Sequence, residues 1–166
     1  MTCWMESKKF NEYNLLKNYK FKIDNSENNY MLANYLEIVK QVAQNLEPII
    51  EKIDSLEFCP WSWDESYHLL RELATAVEQI KNLNEQLESI FDDETFCDDM
   101  QNKAFVENLD EVYYCFDAFS CHFIRLESLV LEEGPKDYYE TDYDYLSAQL
   151  KKAKQHLDQI LTQIGH

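Results

Sequence analysis

The sequence predicts an all-α fold, an up-down antiparallel four-helix bundle with a short helical amino-terminal arm, and three observations carry that expectation. Two glycines and three prolines in 166 residues are too few to punctuate a chain of short strands and tight turns. Four segments repeat an apolar residue at alternating steps of three and four, the spacing of a single buried stripe on a helix packed nearly parallel to its neighbours. Short connections join those segments, and short connections make sequential helices antiparallel neighbours. At 45% apolar residues, the chain also has enough material for one packed core and is not globally disordered.

Residues 1–28 read as a separate basic arm, partly helical and packed on a bundle formed by residues 29–166. Up to residue 23 the arm holds Lys8, Lys9, Lys17, Lys20 and Lys22 against Glu6 and Glu12, a balance of +3. Phe10, Tyr13, Leu15 and Leu16 can line a short helix, and the stretch DNSENN that follows reads as a linker.

The first stripe runs Leu32, Tyr35, Val39, Val42, Leu46, Ile49, Ile53, Leu56. Pro48 lies inside it and removes a backbone donor, but the apolar register continues past it, which predicts a kink rather than a stop. The second stripe, Leu69 to Ile90, follows Ser62-Trp63-Asp64-Glu65, the pattern of a capping box. The third runs from Phe105 to Val130 and ends before Gly134-Pro135, a chain breaker. The fourth runs from Leu146 to Ile164, with Thr141-Asp142-Tyr143-Asp144 as its expected cap and Gly165 at its close.

Charge is the second signal. The net charge is −17, and residues 85–144 hold three bases and eighteen acids, a balance of −15. Such a surface repels phosphates and anionic headgroups, which argues against direct nucleic-acid or membrane binding. The acids concentrate in two connections, FDDETFCDD and EEGPKDYYETDYD, expected at opposite ends of the third helix. Carboxylates at helix starts account for some of them, each contributing about 0.3–1 kcal/mol. Asp92 and Asp93 instead follow a helix end, where the dipole repels anions, and residues 82–102 contain no Lys or Arg.

Tyrosines interleave the second cluster. A tyrosine anchors an interface by burying a large ring at low entropic cost, and an arginine can pair with carboxylates while stacking on rings. The expected partner-binding residues are therefore Asp92, Asp93, Glu94, Asp98, Asp99, Asp137, Tyr138, Tyr139, Glu140, Asp142, Tyr143 and Asp144. The third helix is apolar on several faces around VYYCFDAFSCHF, with Tyr113, Tyr114, Cys115 and Cys121 off its seam. A helix of that kind is expected to be covered, by the arm through Phe10, Leu15 and Leu16 or by a second copy.

Catalytic and metal signatures are weak. Glu65-Ser-Tyr-His68 has the Glu-x-x-His spacing of di-iron bundles, but neither His122 nor His156 repeats it. Glu111, Cys115 and His122 on one helix cannot enclose a tetrahedral metal without further ligands, and buried structural cysteine is the expectation for the helical thiols. With two glycines, neither a Gly-rich phosphate loop nor a nucleophile elbow can form. The reading is therefore no enzyme, no cofactor and no metal. Five cysteines without framework spacing point to a reduced, cytoplasmic setting. The opening MTCWMESKKF lacks the apolar run of a signal peptide.

Together these features predict a non-enzymatic acidic binding protein that neutralises a basic, nucleic-acid-handling partner such as a nuclease. It would act in the manner of an immunity protein or a phage-encoded inhibitor. The alternative is a helical assembly subunit or adaptor, homodimeric through the third helix.

Overall fold

A computed structural model describes residues 10–58, 61–136 and 139–163, with the backbone alone for 10–29. Most of the described residues are helical, and no strand occurs among them. Four long helices, α1 (Phe10–Ser55), α2 (Trp63–Phe91), α4 (Lys103–Glu133) and α5 (Tyr139–Gln163), are supplemented by a short α3 (Glu94–Asp98) and one 3-10 turn, Met100–Asn102. None of the described helices is long and apolar enough to cross a membrane.

The stripes become the core. Val39, Val42, Leu46 and Ile53 on α1, Leu73, Ile80 and Leu87 on α2, Leu109, Val112 and Phe119 on α4, and Leu146, Leu150 and Leu157 on α5 are all buried. α1 packs on α2 and α5, and α4 packs on the same two helices. Side-chain contacts join particular points along the helices. Tyr35 on α1 reaches Asp93 beyond the end of α2. The start of α5 meets the end of α1 through Tyr143 and the carbonyl of Ile53, and Asn108 near the start of α4 meets His156 near the end of α5 at 3.0 Å.

Local chemistry explains the boundaries. Ser62 is the N-cap of α2, its hydroxyl accepting from the amide of Glu65 at 3.3 Å, so the hydroxyl half of the expected capping box is present. Pro48 does not divide α1. It lies on the exposed side, as does Gln44, whose carbonyl loses its helical donor, while Ile49 and Ile50 keep their places in the core. Residues 24–29, expected as a linker, continue α1 as helix; they contain neither glycine nor proline to interrupt it. The expected packing of Phe10, Leu15 and Leu16 on the third long helix lies outside the described side chains. α5 begins at Tyr139 rather than after a cap at Thr141, and Gly165 lies outside the described residues.

α4 ends at Gly134, which has φ +81° and donates to the carbonyl of Val130 at 2.8 Å. A Cβ at this position would lie 2.4 Å from Cζ2 of Trp63. Gly134→Ala is therefore expected to destabilise the fold by about 1–2 kcal/mol, combining left-handed backbone strain with displacement of the indole. An unchanged urea midpoint would refute this account of the turn.

Candidate functional site

The acids of the first cluster gather where α2 ends and α4 begins. Asp92 is the exposed C-cap of α2. Asp93 is half-buried and caps α3, its carboxylate accepting from the amide of Phe96 at 3.1 Å and from the hydroxyl of Tyr35 at 2.5 Å. Asp99 caps the 3-10 turn through the amide of Gln101 at 2.9 Å. Asn102, buried, donates to the carbonyl of Phe96, and Phe96 packs edge-on against both Tyr35 and Phe105. This local core packs the acidic link against Tyr35 in the middle of α1 and Phe105 at the start of α4.

Glu94 and Asp98 are exposed on that link. Cys97 marks how closely the carboxylates converge. Burial pushes its thiol pKa up, and the charges of Asp93, Asp110 and Asp98 push it further. Burial likewise raises the carboxyl of Asp110, with added repulsion from Glu111 and Glu107. The sequence expectation did not count Asp110, Glu107 and Glu111 among the partner-binding acids. Their signal was present, because all three lie off the seam in the first three turns of α4 and so share the end that carries α3. The described ion pair on this corner is Lys103–Glu107, at 3.8 Å between well-exposed groups, a geometry of small worth.

The second cluster lies at the other end of α4, a helix of 31 residues and therefore about 46 Å long. Here three expectations need correction. Tyr139 is fully buried and donates to Glu133 at 3.0 Å. Tyr143 is buried with its hydroxyl on the carbonyls of Ile53 and Leu56. Both rings continue the α5 seam backwards from Leu146, so they close the core and cannot anchor a partner. Asp142 is half-buried and sits 2.7 Å from Nε2 of His122, so it too is committed within the fold. Glu140 and Asp144 are exposed, and Tyr145, also exposed, stacks on His122 at 4.4 Å between ring centroids. Asp137 and Tyr138 lie outside the described residues.

Asp93 requires a related correction. Its place after α2 suggested a charge without a structural reason, yet it opens α3 and receives Tyr35, which is reason enough for a carboxylate there. Cys115 is buried as expected, whereas Cys121 is exposed because it points away from both α2 and α5. Among the described residues, no group of three His, Cys, Asp or Glu side chains is arranged to hold a metal ion.

Among the described residues the fold is all-helical, and the link between α2 and α4 carries Asp92, Glu94 and Asp98 exposed. No family model matches the chain, and neither a curated protein nor a solved structure matches it.

Proposed function

We propose that the chain is a non-enzymatic binding protein that neutralises a basic, nucleic-acid-handling partner, a nuclease being the plainest example, by covering its cationic surface. One observation carries this reading. Asp92, Glu94 and Asp98 stand exposed on a link held in place by Phe96 and Asn102, within a stretch from 82 to 102 that has no Lys or Arg. A rigid array of carboxylates gives the fold little and costs it some repulsion, whereas a cationic partner would convert that repulsion into attraction. Long-range attraction would speed encounter, and carboxylate–arginine pairs drying at contact would slow dissociation.

The same reading takes the pairwise packing of α1, α2, α4 and α5 as an up-down antiparallel four-helix bundle. It places the protein in the cytoplasm, working without cofactor or metal. Immunity protein and phage-encoded inhibitor are both accommodated by this chemistry.

The test is affinity capture from cell lysate at low and high salt, with Glu94→Gln/Asp98→Asn run in parallel. Expected is recovery of basic nucleic-acid-binding proteins that weaken as salt rises, and a loss of roughly tenfold or more in affinity for the double variant, since two dried charge pairs are each worth upwards of ~1 kcal/mol. Capture of neutral or acidic proteins alone would sink the proposal.

A second reading, an assembly subunit, is favoured by a separate observation. Tyr113, Tyr114, Ile124 and Leu131 on α4 are large, apolar or aromatic, and exposed.

A further inference from the structure

α4 carries two rows of residues at steps of three and four. One is the seam buried in the core. The other, Tyr114, Asp117, Cys121, Ile124, Ser128 and Leu131, is exposed at every position. Tyr114, Cys121 and Ser128 each stand midway between two seam residues, about 200° around the helix from both, so the second row faces away from the core. His122 turns to Asp142 of α5 and Tyr113 to Phe91 of α2, and the second row runs along the outside between them. Steps of three and four are the spacing by which one helix packs lengthwise on another.

The row has the area and the charge for such a contact. Tyr114 is 68% exposed, Ile124 58% and Leu131 57%. Together with Tyr113 they present roughly 450–500 Å² per copy, over half of the ~800 Å² that each partner gives to a standard interface. Single exposed apolar residues are ordinary, but an aligned row of them marks a contact surface. Residues 112–131 hold Asp117 and Glu127 against Arg125, a balance of −1 in a chain at −17. Glu107, Asp110 and Glu111 come just before this stretch, and Glu132 and Glu133 just after it. Two copies of so acidic a chain repel each other, and the repulsion is weak where each presents a nearly neutral stretch.

The order of residues fits a second copy run antiparallel. Paired about a two-fold axis between His122 and Phe123, Tyr114 meets Leu131, Asp117 meets Ser128 and Cys121 meets Ile124. Apolar groups then meet apolar ones, and the Ser128 hydroxyl can donate to the Asp117 carboxylate, so the polar pair is satisfied where it is covered. A slip of one heptad in one direction sets Glu107 against Leu131, and in the other it carries Tyr114 past the end of α4 at Glu133. A parallel pairing sets Asp117 against Asp117. We infer that a second copy of the chain packs its α4 antiparallel on this row, in the register centred between His122 and Phe123, giving an isologous dimer. The inference rests on the assembly reading of the exposed face and supplies its partner.

The experiment is light scattering on the full chain after size exclusion, at high micromolar concentration under reducing conditions. The expected mass is twice 19.9 kDa. Ile124→Glu/Leu131→Glu should return it to 19.9 kDa with an unchanged circular-dichroism spectrum, because both positions are exposed. Raising salt should strengthen the dimer by screening its self-repulsion, the reverse of the response expected for a basic partner. A short bis-maleimide reads the register, since Cys121 of each copy lies beside the axis. Cross-linked dimer should form in Cys3→Ser/Cys59→Ser and be lost when Cys121→Ser is added. A wild-type monomer overturns the inference, as does a dimer that survives Ile124→Glu/Leu131→Glu or one that cross-links equally well without Cys121. If the wild type is monomeric yet captures a different protein through Ile124 and Leu131, self-pairing fails while the assembly reading stands. Glu94→Gln/Asp98→Asn, which tests the basic-partner reading, should leave the dimer intact, so either idea can fail alone.

Discussion

Phe119→Ala is expected to destabilise the fold by about 3–5 kcal/mol, the range for removing a buried aromatic ring. Phe119 is completely buried on the seam of α4, the helix that packs on both α2 and α5. Its neighbours Phe116 and Phe123 are buried too, and stiff rings collapse poorly into a vacated space, so the cavity persists and adds to the lost transfer energy. Against a total stability of about 5–15 kcal/mol for an ordinary domain, a loss of this size brings the variant close to unfolding at room temperature. Urea titration should show the midpoint falling with the slope unchanged. Tyr114→Ala on the outer face of the same helix should shift stability by no more than about 0.5 kcal/mol in isolated chains. A loss below 1 kcal/mol at Phe119 would mean that the seam of α4 is not where the core lies.

The contrast between those two positions also shows which parts of the molecule the sequence discloses. Burial follows a period, so Val39 through Ile53, Leu69 through Ile90, Phe105 through Val130 and Leu146 through Ile160 were legible as seams before any coordinates. Helix ends follow side-chain hydrogen bonds, and these are less visible. Thr141 seemed the natural cap for α5, and that choice placed Tyr139 outside the helix and Tyr143 in its first turn, both among the solvent-facing acids. Extending the step pattern backwards from Leu146 by three and four residues would have reached both rings and set them in the core. At the other end, Asp93 looked unfavourable because α3 was not foreseen. Five residues, Glu94–Asp98, are too few to show a period. The exposed acids Asp92, Glu94 and Asp98 were legible from composition alone, since no base lies near them in the chain. Asp110 was not, because its closeness to Cys97 depends on how α3 folds onto α4.

Alkaline pH should unfold the protein through the same two tyrosines that the acidic stretches seemed to offer to a partner or leave to the seam. The hydroxyl of Tyr143 is pushed up from 10.0 to about 12, by burial first and then by the charges of Asp54 and Asp144. Burial also raises Tyr35, and its hydrogen bond to Asp93 and the charges of Asp93 and Cys97 add to the shift. In both cases the folded chain holds the phenolic proton more tightly than the unfolded chain does. The stability this confers is fully present below pH 10; for Tyr143 it is lost as pH rises through about 12, and for Tyr35, raised further, the loss extends to higher pH. Tyr143→Phe removes one source of that loss, while costing about 1–2 kcal/mol near neutrality because the carbonyls of Ile53 and Leu56 lose their phenolic donor. The mutant should therefore start less stable and decline more gently, and Tyr35→Phe/Tyr143→Phe more gently still. Thermal unfolding followed from neutrality to pH 12 measures both slopes. Parallel curves for wild type and the double variant would show that these phenols titrate as they do in water, and hence that Tyr143 does not close the α1–α5 end of the core.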